Sequence, residues 1–180
     1  SGWVVRDNVF ARIRAPAGHL AGPAVLFWRN SIGTVVERNL FLECDRAVAL
    51  GLSAPDPALA RDAETVYDHQ GGIVRNNMVY RAAGAVTGDV GISVNHARNF
   101  RVVHNTVIQN GTFAWGAIEY RFASSDGRIR GNLTDAPIWQ RDGARAEVED
   151  NEVHPRSRGF VVVPDAVLHR RPGAVTVIDR

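Results

Sequence analysis

Lysine is absent from this sequence, so all 21 basic residues are arginines and no lysine is available as a general base. The single cysteine, Cys44, excludes an internal disulfide, and its apolar surroundings predict a buried small side chain. No apolar run approaches the roughly 18 residues of a membrane-spanning helix. The formal net charge of +2 is a weak preference for anionic partners and is not typical of a nucleic-acid-binding protein. The sequence therefore predicts neither a nucleic-acid partner nor a membrane partner.

Helical periodicity is also missing, and a short strand-like repeat takes its place. The segments "WVVRDNVFARI" (3–13), "TVVERNLFLEC" (34–44) and "RVVHNTVIQNG" (101–111) share an apolar run, one or two polar residues, an asparagine and a second apolar pair. The six anchor asparagines are Asn8, Asn39, Asn77, Asn105, Asn132 and Asn151. Apolar residues alternate around each anchor, and this period of two predicts strands.

The spacing between anchors varies from 19 to 38 residues. A short constant core with variable spacing is typical of stacked coils that carry loop insertions. The longest spacing contains "PALARDAETV" (57–66), the one stretch whose pattern suits a helical turn or two. Residues 54–72 are therefore predicted to form an insertion loop.

A second repeated strand follows each of the first five anchors. We align "AVLFWR" (24–29), "AVALGL" (47–52), "VGISVN" (90–95), "GAIEYR" (116–121) and "APIWQR" (136–141). The third positions are predicted to point inward: Leu26, Ala49, Ile92, Ile118 and Ile138. The sixth positions are mostly polar and are predicted to point outward: Arg29, Leu52, Asn95, Arg121 and Arg141.

Two strand families and a short third one per coil predict an all-β fold. We expect a single domain over residues 1–180, a single-stranded right-handed parallel β-helix of about five to six coils with variable loops. Equal positions on successive coils then lie about 4.8 Å apart. An asparagine at a tight bend tolerates a left-handed backbone and can bridge to its copies above and below. The repeated asparagines are therefore predicted to form a structural ladder.

These features carry a resemblance to a known group. The "VxxNx" coils, "NTVIQNG…AIEYRF" (105–122) and "NLTDAPIWQRDGA" (132–144) resemble right-handed parallel β-helix repeat proteins, the group that includes pectate-lyase-like and chondroitinase-B-like polysaccharide enzymes. The tail, residues 155–180, looks like the segment that closes the end of such helices. The resemblance implies binding or β-elimination of an acidic polysaccharide along an outer sheet face. It also implies an extracellular or periplasmic location.

The first coil begins at Trp3 without a visible cap. An uncovered coil exposes apolar surface and free strand edges. We therefore expect the chain to be the C-terminal part of a longer β-helix, with missing N-terminal coils or another subunit as the partner at this end.

The outer face of the second strand family is the candidate groove. β-Elimination from a uronic acid needs a cation for the carboxylate, a base for the C5 proton and an acid for the leaving oxygen. The candidate catalytic residues are Arg121, Glu119 and His96, and the candidate substrate-binding residues are Arg29, Asn95, Tyr120, Trp139 and Arg141. Trp139 could stack on a sugar ring, whereas Tyr120 occupies an alternate, inward position. An arginine base must overcome a pKa above about 12, which weakens the lyase hypothesis.

Three alternatives remain open from the residues. The first is that the arginines form a solvated face interleaved with acids, as in a non-catalytic scaffold or a carbohydrate-binding part of a larger enzyme. A hydrolase needs two facing carboxylates, and Glu119 has no clear acidic partner. A metal site is not predicted, because the acids of the insertion and the scattered histidines show no ligand spacing. No cofactor is expected; calcium is the one ion that comes into question, and the spacing of the acids does not support it. His104 is predicted to be a turn residue.

Overall fold

The computed structural model describes residues 2–16, 19, 22–59, 67–85, 87–110 and 116–154. In chain order the strands are β1 (Val4–Arg6), β2 (Val9–Ala11), β3 (Val25–Phe27), β4 (Ser31–Ile32), β5 (Val35–Glu37), β6 (Leu40–Leu42), β7 (Val48–Leu50), β8 (His69–Gln70), β9 (Ile73–Arg75), β10 (Met78–Tyr80), β11 (Ile92–Asn95), β12 (Ala97–Val103), β13 (Thr106–Ile108), β14 (Ile118–Arg121), β15 (Asp126–Arg130), β16 (Leu133–Thr134), β17 (Ile138–Arg141), β18 (Glu147–Glu149) and β19 (Glu152–Val153). In the described ranges, helical structure is confined to the 3₁₀ turn Pro57–Leu59. No helix in these ranges has the length and apolar character needed to cross a lipid bilayer.

The strands form three parallel sheets. Sheet A has the order β1-β5-β9-β12-β15-β18, with β4 and β8 added beside it; sheet B runs β19-β16-β13-β10-β6-β2; sheet C runs β17-β14-β11-β7-β3. Each successive coil thus adds one strand to each sheet, and a sixth coil adds strands to sheets A and B. The predicted single-stranded parallel β-helix of five to six coils is confirmed. Within the predicted loop 54–72 lie the 3₁₀ turn and β8, while residues 60–66 and the predicted closing segment 155–180 lie outside the described residues.

The anchor asparagines form the predicted ladder between sheets A and B. Each of the first five donates from its side-chain Nδ2 to the Oδ1 of the next, at 2.9 to 3.2 Å. Each also donates its backbone N–H to that same oxygen, at 2.9 to 3.1 Å. A second Nδ2 hydrogen bond reaches a strand carbonyl of the preceding coil, as from Asn105 to Val74 at 3.0 Å. The buried amides are therefore satisfied along the stack.

The left-handed backbone lies one residue before each asparagine, not at the asparagine as predicted. At these six positions φ lies between 52° and 64°: Asp7, Arg38, Asn76, His104, Gly131 and Asp150. These residues make the bend, so each asparagine keeps its N–H aligned with the stack. His104 is one of these turn residues, as predicted.

The inner faces of the three sheets form one core. Its fully buried members include Val36, Val74, Val102 and Ile129 from sheet A, Phe41 and Val107 from sheet B, and Leu50, Ile92 and Ile118 from sheet C. Phe10 stacks on Phe41 with ring centroids 4.9 Å apart, so side chains also stack inside the helix. Cys44 is free and buried at the edge of this core, as predicted, and burial raises the pKa of its thiol.

The alignment of the second strands is wrong by one residue in the first two coils. The residues that face one another across sheet C are Val25, Val48, Ile92, Ile118 and Ile138. Leu26 and Ala49 therefore lie on the outer face, while Leu50 points into the core. A shift of one residue exchanges the two faces of a strand, so the predicted outer face must be corrected in these coils.

A histidine is buried inside the helix where β4 pairs with β8. His69 is 0% exposed; its Nδ1 lies 2.7 Å from Ser31 Oγ and its Nε2 lies 3.3 Å from Thr34 Oγ1. Burial lowers the pKa of His69 from 6.5 to about 4, and the charge of Asp68 opposes this shift only in part.

This histidine predicts a loss of stability in mild acid. The unfolded chain binds a proton on His69 as the pH falls below about 6.5, whereas the folded chain resists until about 4. The free energy of unfolding should therefore fall by about 3 kcal/mol over that window because of this residue. Denaturant unfolding of the protein and of His69→Gln at several pH values measures the difference. Parallel pH profiles for the two proteins would contradict the assignment.

Candidate functional site

The candidate residues on sheet C stand in two outward columns. The first column contains Leu26, Ala49, Ser93, Glu119 and Trp139, in register from β3 to β17. In the second column, Asn95, Arg121 and Arg141 lie on adjacent coils. Sheet C therefore brings Glu119, Arg121, Trp139, Arg141 and Asn95 together on one face.

Arg141 already contacts two neighbouring side chains on this face. Its Nη1 donates to Glu119 Oε2 at 2.8 Å, and its guanidinium carbon lies 4.7 Å from the centre of the Trp139 ring. The bond to Glu119 raises the pKa of Arg141. The Glu119 side chain is 9% exposed, so this carboxylate is neutralised beneath the arginine and is not directed at solvent. The pair removes both a candidate acid and a candidate substrate cation.

Arg121 and His96 are also engaged at the turn after sheet C. Arg121 Nε donates to Asp142 Oδ2 at 2.6 Å, and its guanidinium lies 4.7 Å from the Phe122 ring centre. The His96 ring stacks on Phe122 at 4.0 Å, and its Nδ1 lies 2.8 Å from Ser124 Oγ. Burial lowers the pKa of His96, Asp68 opposes this, and Arg121 adds to the lowering. His96 also has a left-handed φ of 49°, so it is a turn residue of this corner.

Three other candidates do not line an open groove. Tyr120 is 5% exposed and belongs to the core, and its burial raises the pKa of its hydroxyl. Arg29 lies in the turn beyond β3, where its guanidinium covers the Trp28 ring at 4.6 Å. Asn95 is 7% exposed and Ser93 is 1% exposed, and the buried Asn95 Oδ1 and Ser93 Oγ have no hydrogen-bond partner in the described structure.

The chemistry available on sheet C is therefore limited. β-Elimination requires a free cation, a base and an acid around one bound sugar. Of the three candidate arginines, Arg121 and Arg141 are paired with carboxylates and Arg29 lies over the Trp28 ring. The candidate proton carriers are stacked, buried or inward. In the described part of the chain, no three His, Cys, Asp or Glu side chains gather where they could hold a metal ion.

A different groove lies on the outside of sheet A, across β12, β15 and β18. It has a volume of about 640 Å³, and its polar lining consists of Asn99, Arg101, Asp126, Arg128, Arg145 and Glu147. Arg101, Arg128 and Glu147 face one another in register on three successive coils. Asn99 forms a bulge with a φ of 54°, and its N–H donates to Asp126 Oδ1 at 3.0 Å.

The charges in this groove, which we call the sheet A groove, are only partly paired. Arg128 donates from Nε to Glu147 Oε2 at 2.8 Å, and this bond raises the pKa of Arg128. Arg101 and Arg145 are exposed, and neither forms an ion pair within the described residues. Two cations thus remain available beside a third that is held by an exposed carboxylate.

The sequence contains a signal for this groove, which a prediction based on the second strand family does not use. The residue four positions before each anchor asparagine points outward from sheet A: Val4, Val35, Ile73, Arg101, Arg128 and Glu147. This column changes from apolar to charged at the fourth coil. Arg145 follows a loop and carries no such positional signal.

Comparisons of this chain with protein-family models, with curated proteins and with solved structures find no match to any of the three.

Proposed function

We propose that this chain is a non-catalytic parallel β-helix module that binds an acidic polysaccharide in the sheet A groove. The observation that carries the proposal is a pair of exposed arginines, Arg101 and Arg145, that form no ion pair with any residue the structure describes. They lie beside Arg128 in a groove that crosses three coils. Guanidinium groups bind carboxylates through directed, charge-assisted hydrogen bonds. An open groove along successive coils suits an extended polymer.

Two further points support a polysaccharide as the ligand. The chain resembles pectate-lyase-like and chondroitinase-B-like β-helix proteins, whose group binds extended sugar chains on outer sheet faces. The net charge of +2 favours anionic partners only weakly, so local arginines must supply the attraction.

The pairing on sheet C favours binding without cleavage. Glu119 is neutralised by Arg141, and Arg121 is held by Asp142. A lyase mechanism on sheet C would first have to break both ion pairs. It would then have to move the His96 ring away from Phe122, on which it stacks, before His96 could transfer a proton. The non-catalytic alternative requires no such rearrangement.

Binding to polygalacturonate, alginate and chondroitin sulfate, measured by calorimetry with neutral dextran as the reference, tests this proposal. Arg101→Ala and Arg145→Ala should each weaken binding about fivefold, because an exposed ion pair contributes about 1 kcal/mol. Binding should also weaken between about 0.05 and 0.5 M salt, because exposed charges are screened. None of the polymers should yield the ultraviolet absorbance of unsaturated sugar products.

Arg130→Ala and Arg121→Ala are the matched controls. Arg130 lies on the same strand as Arg128 but outside the groove, so its loss removes the same charge without removing a side chain that lines the groove. Arg121 tests the sheet C face directly. Loss of binding in Arg121→Ala with full binding in Arg101→Ala would place the ligand on sheet C and overturn the proposed groove. Product absorbance would overturn the non-catalytic assignment.

A further inference from the structure

We propose that Arg128 is the residue of the sheet A groove that binds a uronate carboxylate, and that Glu147 is an internal carboxylate that competes for this position. This inference rests on the proposed function, since it assigns the contact made by the ligand. It adds a residue that sets the affinity of the groove.

The geometry of the pair resembles that of a bound carboxylate. Arg128 donates to Glu147 Oε2 from both Nε, at 2.8 Å, and Nη2, at 2.5 Å. The two residues face each other on adjacent coils, so the Glu147 carboxylate lies in the groove one coil beyond Arg128. A planar guanidinium favours such carboxylate contacts over contacts with neutral sugar hydroxyls.

The pair is also exposed enough to exchange. The side chains of Arg128 and Glu147 are 50% and 60% exposed, whereas Glu119 beside Arg141 is 9% exposed. Exposed ion pairs are weak because water competes with both partners. A ligand carboxylate can therefore replace Glu147 on Arg128, while the buried Glu119 cannot leave Arg141 without losing its charge partner.

The two arginines beside Arg128 favour binding of the ligand carboxylate over binding of Glu147. Arg101 lies directly opposite Arg128 on the preceding coil, and Arg145 closes the same groove two residues before Glu147. A polymer with several carboxylates can contact all three arginines at once, whereas Glu147 contacts Arg128. Multivalent contact raises affinity beyond that of a single site.

The experiment compares Glu147→Gln with Glu149→Gln in calorimetric titrations with polygalacturonate. Both substitutions remove one negative charge from β18, but Glu149 lies outside the groove, 4.0 Å from Arg130. Glu147→Gln should tighten binding about fivefold because it removes the competitor, and Glu149→Gln should change binding by less than about twofold. Arg128→Ala should weaken binding and should abolish the gain when it is combined with Glu147→Gln.

The outcomes separate the two proposals. Equal gains in Glu147→Gln and Glu149→Gln would identify a general charge effect and overturn the competition. Unchanged affinity in Glu147→Gln, with wild-type protein that binds and Arg101→Ala that binds about fivefold more weakly, would overturn this inference and leave the groove in place. No binding by any of the proteins would overturn the proposed function and this inference together. Because both glutamates are exposed, the two variants should unfold at the same denaturant concentration as the wild type, which checks that both are folded.

Discussion

Replacing Asn105 with alanine is expected to lower the free energy of unfolding by about 4 kcal/mol. Asn105 Oδ1 accepts the backbone N–H and the Nδ2 of Asn77 at 3.1 and 3.0 Å, and both donors are buried. Alanine leaves the Asn77 backbone N–H and one of the two Nδ2 hydrogens without this acceptor, while Nδ2 keeps its hydrogen bond to the Val36 carbonyl at 2.9 Å. It also removes the donor to the Val74 carbonyl. Each buried polar group left unsatisfied costs about 1–3 kcal/mol. Urea unfolding followed by far-ultraviolet circular dichroism measures the change.

The first rung of the ladder provides the matched control. Asn8 is exposed and donates to Asn39 Oδ1, but no described residue donates to its own side-chain oxygen. Asn8→Ala therefore leaves no buried donor without an acceptor, and it should lower the free energy of unfolding by less than about 1 kcal/mol. Equal losses in Asn8→Ala and Asn105→Ala would show that the ladder does not stabilise the coils through its buried amides.

A charged isostere separates hydrogen bonding from packing. Asn105→Asp keeps the acceptor for Asn77 but places an oxygen against Asn132 Oδ1, which accepts from Asn105 Nδ2 in the native protein. Acceptor against acceptor is unfavourable, so this variant should be destabilised near pH 7. Protonation restores a donor, so the destabilisation should diminish as the pH falls. A pH-independent loss would instead indicate a packing effect.

The sequence was sufficient to predict the ladder because the repeat demands it. An asparagine that recurs in a strand pattern, with variable insertions between copies, fits few structures other than stacked coils. What the pattern did not reveal was the position of the bend. The residue with the left-handed backbone differs in type from coil to coil, as Asp7, His104 and Gly131 show, so no shared residue type marks the bend in the sequence. The asparagine was recognisable because its side chain makes the same hydrogen bonds on every coil.

The register of sheet C could not be predicted in the first two coils because "AVLF" and "AVALGL" are apolar throughout. With no alternation, either face of the strand can be taken as the inner one. The structure resolves the choice by directing Leu50 into the space between the sheets and Ala49, although it is also buried, to the opposite face of the strand. The later strands, such as "GISVN" and "AIEYR", alternate, and their inward residues Ile92 and Ile118 were predicted correctly.

The candidate site was harder to predict than the fold, since pairing depends on distances between coils. Glu119 and Arg141 are 22 residues apart, and Arg121 and Asp142 are 21 apart, so each pair forms only after stacking. The alignment brought these residues to one face. It could not tell whether their charges would face a ligand or one another.

Arg81 is the residue for which we expect the second large effect, and no feature of the sequence singles it out. The side chain is 2% exposed and lies where three coils meet. Its Nη1 donates to the Asp89 carbonyl at 3.0 Å and to Gln109 Oε1 at 2.9 Å. Its Nη2 donates to the carbonyls of Cys44 and Asp45, at 2.9 and 2.5 Å. Burial lowers the pKa of Arg81, and the charges of Asp45 and Asp89 oppose that effect.

Arg81→Met should lower the free energy of unfolding by about 4 kcal/mol, because it leaves four acceptors without this donor while keeping most of the side-chain volume. Arg81→Lys keeps the charge, but a single ammonium group cannot reproduce the hydrogen bonds that the two guanidinium nitrogens donate. We therefore expect an intermediate loss in the free energy of unfolding. Arg130→Met, at a side chain 49% exposed, should change stability by less than about 1 kcal/mol. Guanidinium unfolding of the three variants measures these differences. A loss in Arg81→Met no larger than that in Arg130→Met would mean that the turns of the second, third and fourth coils hold together without the buried arginine, and that stacking of the apolar columns alone fixes the coils.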